Sequence, residues 1–89
     1  MARGDEMLRL GDPASARLFY ERAAAQGLAS AHTAVGHTYD PALLQRLGIR
    51  GGGANGEQAL AWYRRGADAG DAAATRAISE LSVWLARPR

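Results

Sequence analysis

Shifted by 43 residues, the chain matches itself. Ala16 falls on Ala59, Tyr20 on Tyr63, Arg22 on Arg65, Ala24 on Ala67, Gly27 on Gly70, Ala29 on Ala72, Ala31 on Ala74 and Ala34 on Ala77, eight identities in the 20 positions from Ala16 to Val35. Phe19 over Trp62 and Val35 over Ile78 preserve character as well. Alanine matches come cheaply here, since 20 residues of the chain are alanine, but the aligned tyrosines and glycines do not share that objection. Small residues recur where helices must touch, aromatics where the space between them must be filled, and glycine at each helix end. A unit of this kind cannot bury its apolar face alone and stacks on a copy of itself.

The start and stop signals divide the chain into helices. Arg3 to Leu10 forms a short first helix that ends at Gly11. Asp12-Pro13 is a cap followed by proline at the first helical position, and it opens a helix over Ser15–Gln26 that stops at Gly27. Ala16, Phe19, Tyr20, Ala23 and Ala24 give that helix one apolar face at three- and four-residue spacing. Arg17 and Glu21, four apart beside it, are placed to pair across solvent. A further helix runs from Ala29 or Ser30 to Tyr39. Asp40-Pro41 repeats the cap-plus-proline device before a short helical turn over Ala42–Leu47. The glycines of Gly48–Gly56 read as a flexible loop. Asn55 caps a helix over Glu57–Ala69 that ends at Gly70, and Asp71 caps a last one to about Ala86. No segment alternates as a strand requires. The fold class expected is all-α, a short α-solenoid of stacked antiparallel helix pairs with about five helices plus the short one in the long connection.

Bulk properties bound the function classes. At 89 residues the chain is one small domain, burying about 60–65% of its unfolded surface. Without cysteine, disulfides and thiolate metal sites are excluded. All 11 basic residues are arginine, which reflects genomic composition bias, and with a net charge of +2 they are dispersed as on solvated helix faces. That pattern argues against nucleic acid as a partner. No apolar run approaches the ~20 residues of a membrane span, and no signal-peptide core stands at the N-terminus.

The run Ala31-x3-Val35-Gly36-x2-Tyr39, a glycine-containing loop, then Ala59-x2-Trp62-Tyr63-x2-Gly66-Ala67-x2-Gly70-x3-Ala74 resembles the Sel-1-like repeat, a relative of the tetratricopeptide repeat with two antiparallel helices per unit. Ala16-x2-Phe19-Tyr20-x2-Ala23-Ala24-x2-Gly27 resembles the second helix of a preceding unit. The resemblance covers Pro13 to Leu85 and divides the chain into a half-unit over 3–27, a full unit over 29–70 and a capping helix over 71–86. The chain departs from the pattern twice. The connection after Tyr39 is longer, with an insertion around Asp40–Leu47, and Ser79 and Ser82 stand where the family has glycine and tyrosine. The last helix is therefore expected to cap the stack, with Trp84 and Leu85 closing its terminal groove.

Several features look like chemistry and read better as structure. Gly51-Gly-Gly-Ala-Asn-Gly56 matches G-x-G-x-x-G but follows a helix, lacks an acidic residue at the required distance and carries no Lys-Ser/Thr, so no nucleotide cofactor is implied. His32 and His37 are five apart, about 140° around a helix, and do not converge on a metal. The serines suit caps and surfaces, and no nucleophile has a base partner. Phe19, Tyr20, Trp62 and Tyr63 lie on apolar stripes as core. No cofactor, no metal and no catalytic residue are expected.

In arrays of this type the first helix of each unit lines a concave groove, which the resemblance implies is the recognition surface. Setting aside the core-facing Ala31, Val35 and Tyr39 leaves Thr33, His37 and Asp40 on an exposed stripe of one such helix. The corresponding positions of the last helix are Arg76, Glu80 and Val83. The function expected is a non-catalytic scaffold docking a protein or peptide, as one domain of a longer bacterial-type polypeptide. The alternative is a structural spacer or homo-oligomerisation unit, because stacks of this kind usually need three or more units.

Overall fold

Three of the chain's connections are the same device. Leu10–Asp12, Gln26–Leu28 and Ala69–Asp71 each join two helices in three residues, with a central glycine at positive φ. In each, the glycine N–H bonds the carbonyl three residues back and the next N–H reaches five back, as Asp71 does to Gly66 at 2.9 Å. This satisfies the last carbonyls of one helix. In two of them the following aspartate caps the next helix: Asp12 Oδ1 accepts from the Ser15 amide at 3.0 Å, and Asp71 Oδ1 from Ala73 at 3.3 Å. One dipeptide, Gly-Asp, thus both ends a helix and starts another.

The computed structural model describes residues 1–88, and among these it is helical, without a strand. Its helices are α1 (Ala2–Arg9), α2 (Pro13–Ala25), α3 (Ala29–Tyr39), α4 (Pro41–Arg46), α5 (Gly56–Asp68) and α6 (Ala72–Leu85). The boundaries differ from those expected by one or two residues. Asp40 and Asn55 cap α4 and α5 as expected, Asn55 Oδ1 accepting from Gln58 at 3.1 Å.

The helices pack in series, α1 on α2, α2 on α3, α3 on α5 and α5 on α6, while α4 and α6 also touch α3. Two clusters form the core. Ala16, Tyr20, Ala34 and Val35 join α2 to α3, with Met7, Leu8 and Trp62 against them. Ala59, Tyr63 and Leu81 join α5 to α6, with Ile78, Trp84 and Leu85 packed on them, and Tyr39 touches both clusters. Trp84 and Leu85 thus pack on the α5 side of α6. The Cα radius of gyration is 12.0 Å, matching the ~12 Å expected of a compact domain of this length.

The repeat has a structural counterpart. Tyr20 lies on Gly4 of α1 and Tyr63 lies on Gly36 of α3, each so close that a β-carbon on the glycine would overlap the ring. Each hydroxyl donates to a carboxylate of the helix that carries the glycine or of its cap: Tyr20 to Asp5, and Tyr63 to Asp40 at 2.6 Å. A tyrosine seated on a glycine and tied to an aspartate is the unit by which one helix pair is built, and it occurs twice.

The long connection is held and not free. Arg17 does not pair with Glu21 but turns the other way. Its Nε donates to Thr38 Oγ1 at 3.0 Å, and its Nη2 to the carbonyls of Thr38 at 2.9 Å and Gly52 at 3.0 Å. The guanidinium also stacks over Tyr39, 3.8 Å from the ring centroid. Gly51, Gly52 and Gly53 all adopt positive φ, and Gly52 packs directly on Pro13. The glycine run is therefore a fixed path docked on the start of α2, and the backbone it needs is the left-handed one that side chains rarely adopt.

Candidate functional site

The surface stripe expected on α3 does not exist. Thr33 is buried, with its hydroxyl oxygen against Gly66 where α5 crosses, and Asp40 is buried as well. The reason is that α3 is touched by α2, α4, α5 and α6 and so has no broad face left for solvent. Asp40 is fully employed: Oδ1 accepts from the amides of Ala42 at 2.9 Å and Leu43 at 3.1 Å, while Oδ2 accepts from Tyr63. Its carboxylate holds α4 and α5 onto the end of α3.

His37 is partly buried, with its ring edge-on to Tyr63 at 5.6 Å between centroids. Burial pushes its imidazole below the ordinary histidine value; Asp40, Asp71 and Asp5 oppose that shift and Arg46 adds to it. His32 stacks on Trp62, 5.9 Å between centroids, and Arg65 covers the same indole at 4.5 Å. The two histidines serve different packing contacts. Burial, reinforced by the neighbouring carboxylates, pushes the hydroxyls of Tyr20 and Tyr63 well above the usual phenol range. These groups are protonated donors in a packed core, not bases.

Three of the expected residues do come together elsewhere. Asp40, Glu80 and Val83 line a groove of about 590 Å³ between α4 and α6. Leu81, Val83 and Trp84 of α6 line one side and Ala42, Gln45 and Arg46 of α4 the other, with Glu80 and Arg87 among them. Trp84 packs against the Tyr63 cluster and also lines this groove. Val83 projects from α6 with 68% of its surface exposed. Arg76 is exposed on α6 but outside this groove.

Sequence reasoning missed the opposite wall, made by Ala42, Gln45 and Arg46 of α4. The signal available is the inserted cap-plus-proline segment itself, whose short helix the sequence shows without showing where it packs. Helix α4 lines this groove, and the residues that follow it line a second one. The second, about 700 Å³, lies between α1 and the residues after α4, with Leu8, Leu10, Leu47 and Ile49 beside Arg9 and Arg50. No helix among the described residues is long and apolar enough to cross a membrane.

No family model, curated protein or solved structure matches this chain.

Proposed function

We propose that the chain is a non-catalytic protein-interaction module of the Sel-1-like repeat type, which docks a helical segment of a protein in the groove between α4 and α6. The observation that carries this reading is the groove's composition, with Val83 and the open side of Trp84 exposing apolar surface over the buried Leu81, beside Arg46, Glu80 and Arg87. Exposed contiguous apolar surface rimmed by charge is the usual form of a protein-docking site. Burying Val83 and the open face of Trp84 supplies the attraction, at roughly 25 cal/mol per Å² of apolar surface removed from water. The rim charges set register and orientation more than affinity.

The family assignment is supported by the serial helix stack and by the twice-repeated seating of tyrosine on glycine. The non-catalytic reading is supported by how the polar side chains are spent. Asp40, Tyr20, Tyr63 and Arg17 are each engaged in holding helices together.

A photo-crosslinking amino acid at position 83 tests the proposal in the whole protein, expressed in its native cell. Position 83 should give covalent protein adducts, while the same probe at Ala25, exposed at the far end of α2, should not. Equal labelling at both positions, or none at either, overturns the reading.

A further inference from the structure

The internal repeat makes α6 the equivalent of α3. Residues 29–39 fall on 72–82, and α5 packs on α6 as α2 packs on α3. On its other side α3 is covered by α5, through Thr33, Gly36 and Asp40. The equivalent positions of α6 are Arg76, Ser79 and Val83, and all three are exposed. A helix-sized seat is therefore presented on α6, continuous with the groove above.

That seat differs from the two filled ones in what it accepts. On α1 and α3 a glycine admits a tyrosine ring, and any β-carbon there would overlap it. On α6 Ser79 supplies the β-carbon and Val83 replaces the acceptor carboxylate. A helix bearing tyrosine, such as α2 or α5, does not fit. The seat needs a helix with small residues at the crossing and charges complementary to Arg76 and Glu80. The outer face of α6 has these properties itself. Ala72, Arg76, Ser79, Val83 and Ala86 recur at four- and three-residue spacing and are all exposed, with Glu80 alongside. Ala73 and Val83 lie about the same midpoint of the helix as Arg76 and Glu80. An antiparallel crossing at that midpoint sets Arg76 against Glu80 of the second copy, and Glu80 against its Arg76. A two-fold interface requires this self-complementarity.

We infer that the occupant of the α6 face is a second copy of this chain, paired through antiparallel α6 helices about a two-fold axis. The inference rests on the proposed interaction role and names its partner. Helix α6 has 14 residues and is about 21 Å long. The interface it offers is at the small end of the range, below about 1,000 Å², which makes a weak, concentration-dependent dimer.

Sedimentation velocity from low-micromolar to near-millimolar protein is the first test. The unaltered protein should shift from monomer toward dimer across that range. Arg76→Glu and Glu80→Arg each place like charges across the axis and should raise the dissociation constant about tenfold or more. The double variant R76E/E80R restores opposite charges and should bring it back to near the starting value. Reversal at Arg64, exposed on α5, should leave it unchanged. A strict monomer at every concentration, or a double variant no better than its parents, overturns the inference.

Mass analysis of the position-83 adducts separates this failure from that of the underlying reading. A crosslink to a second copy supports both. A crosslink only to a different protein, or within the same polypeptide, overturns the second copy and leaves a protein-docking face standing. No adduct overturns both.

Discussion

Tyr63 lies on Gly36 with its hydroxyl bonded to Asp40, so the ring is fixed at both ends. A β-carbon on Gly36 would overlap Cδ1 and Cε1 of that ring and stand 3.2 Å from the Ala59 carbonyl oxygen. The ring cannot swing aside, because Tyr63 is fully buried and its Oη donates to Oδ2 of Asp40 at 2.6 Å. Gly36→Ala gains up to ~1 kcal/mol of helix propensity. Overpacking of a filled contact costs about 1–3 kcal/mol, sometimes more. The overlap involves a clamped ring and a backbone atom, so the second effect wins. Urea denaturation should show a lower midpoint for Gly36→Ala with an unchanged slope. Gly56→Ala is the contrast, since its β-carbon meets only the flexible end of Leu85 at 3.1 Å, and it should be neutral or slightly stabilising.

The two tyrosine–aspartate bonds differ in what happens when they are cut. Asp40 is buried, whereas Asp5 is exposed. Tyr63→Phe leaves a buried carboxylate oxygen without its donor, a loss of about 1–3 kcal/mol or more. Tyr20→Phe leaves an oxygen that water can reach, and it should cost well under half as much. Chemical denaturation of the two variants in parallel checks the ratio. Equal losses would mean that Asp40 is solvated in a way its burial does not show.

How far the sequence could be read follows from the range of each signal. The caps Asp12, Asp40, Asn55 and Asp71 and the turn glycines act within about five residues, and each stands where local reasoning put it. The burial of α3 depends on four other helices and did not announce itself as an apolar stripe. Its signal was composition, because Ala29–Tyr39 contains no Asp, Glu, Lys or Arg, and a helix without a charged face belongs inside. Thr33 looks like a surface residue in the sequence, because nothing local shows that its neighbour across the helix crossing is Gly66. Arg17 is illegible for a similar reason. Spacing offered it Glu21 one turn away, while its real partners, Thr38 and Gly52, lie 21 and 35 residues on. The short helix α4 is legible from its Asp40-Pro41 start, but its place against α3 is not, because no local signal says where an inserted helix docks.

Arg17 and Gly52 should act as one unit. The guanidinium ties α2 to the end of α3 and, through the Gly52 carbonyl, to the glycine run. Charge-assisted hydrogen bonds contribute about 1.5–3 kcal/mol where well formed, reduced here because the Gly52 contact is exposed. Gly52→Ala forces a side chain into positive φ and against Pro13, displacing the acceptor. The single variants R17A and G52A should each destabilise, and the double variant should cost less than their sum, with a coupling on the order of 0.5–3 kcal/mol. Amide exchange over residues 48–54 should quicken in R17A before that of α2 or α3 does. Arg17→Lys should rescue little, because an ammonium cannot reach three acceptors and stack on Tyr39 at once.

The pH dependence of stability should carry the mark of His37. Its imidazole titrates below the ordinary value of 6.5 because burial disfavours the cation, while Asp40, Asp71 and Asp5 only partly offset that. The unfolded chain therefore takes up a proton at higher pH than the folded one, and protonation favours unfolding. Stability is fully present above about 6.5 and is lost as pH falls below it, until the folded imidazole itself titrates. One group of this kind gives a slope of at most ~1.4 kcal/mol per pH unit. His37→Gln removes the titration and should flatten this window in thermal melts, whatever its effect on the melting temperature at neutral pH. The acid limb belongs to a different group and should survive. Asp12 is held below its usual value of 3.8 by hydrogen bonding with Ser15, so its cap is lost only as pH falls below about that value. A His37→Gln protein that kept the same slope between neutral pH and the carboxylate range would show that the imidazole is already solvated in the folded state, against the packing of its ring on Tyr63.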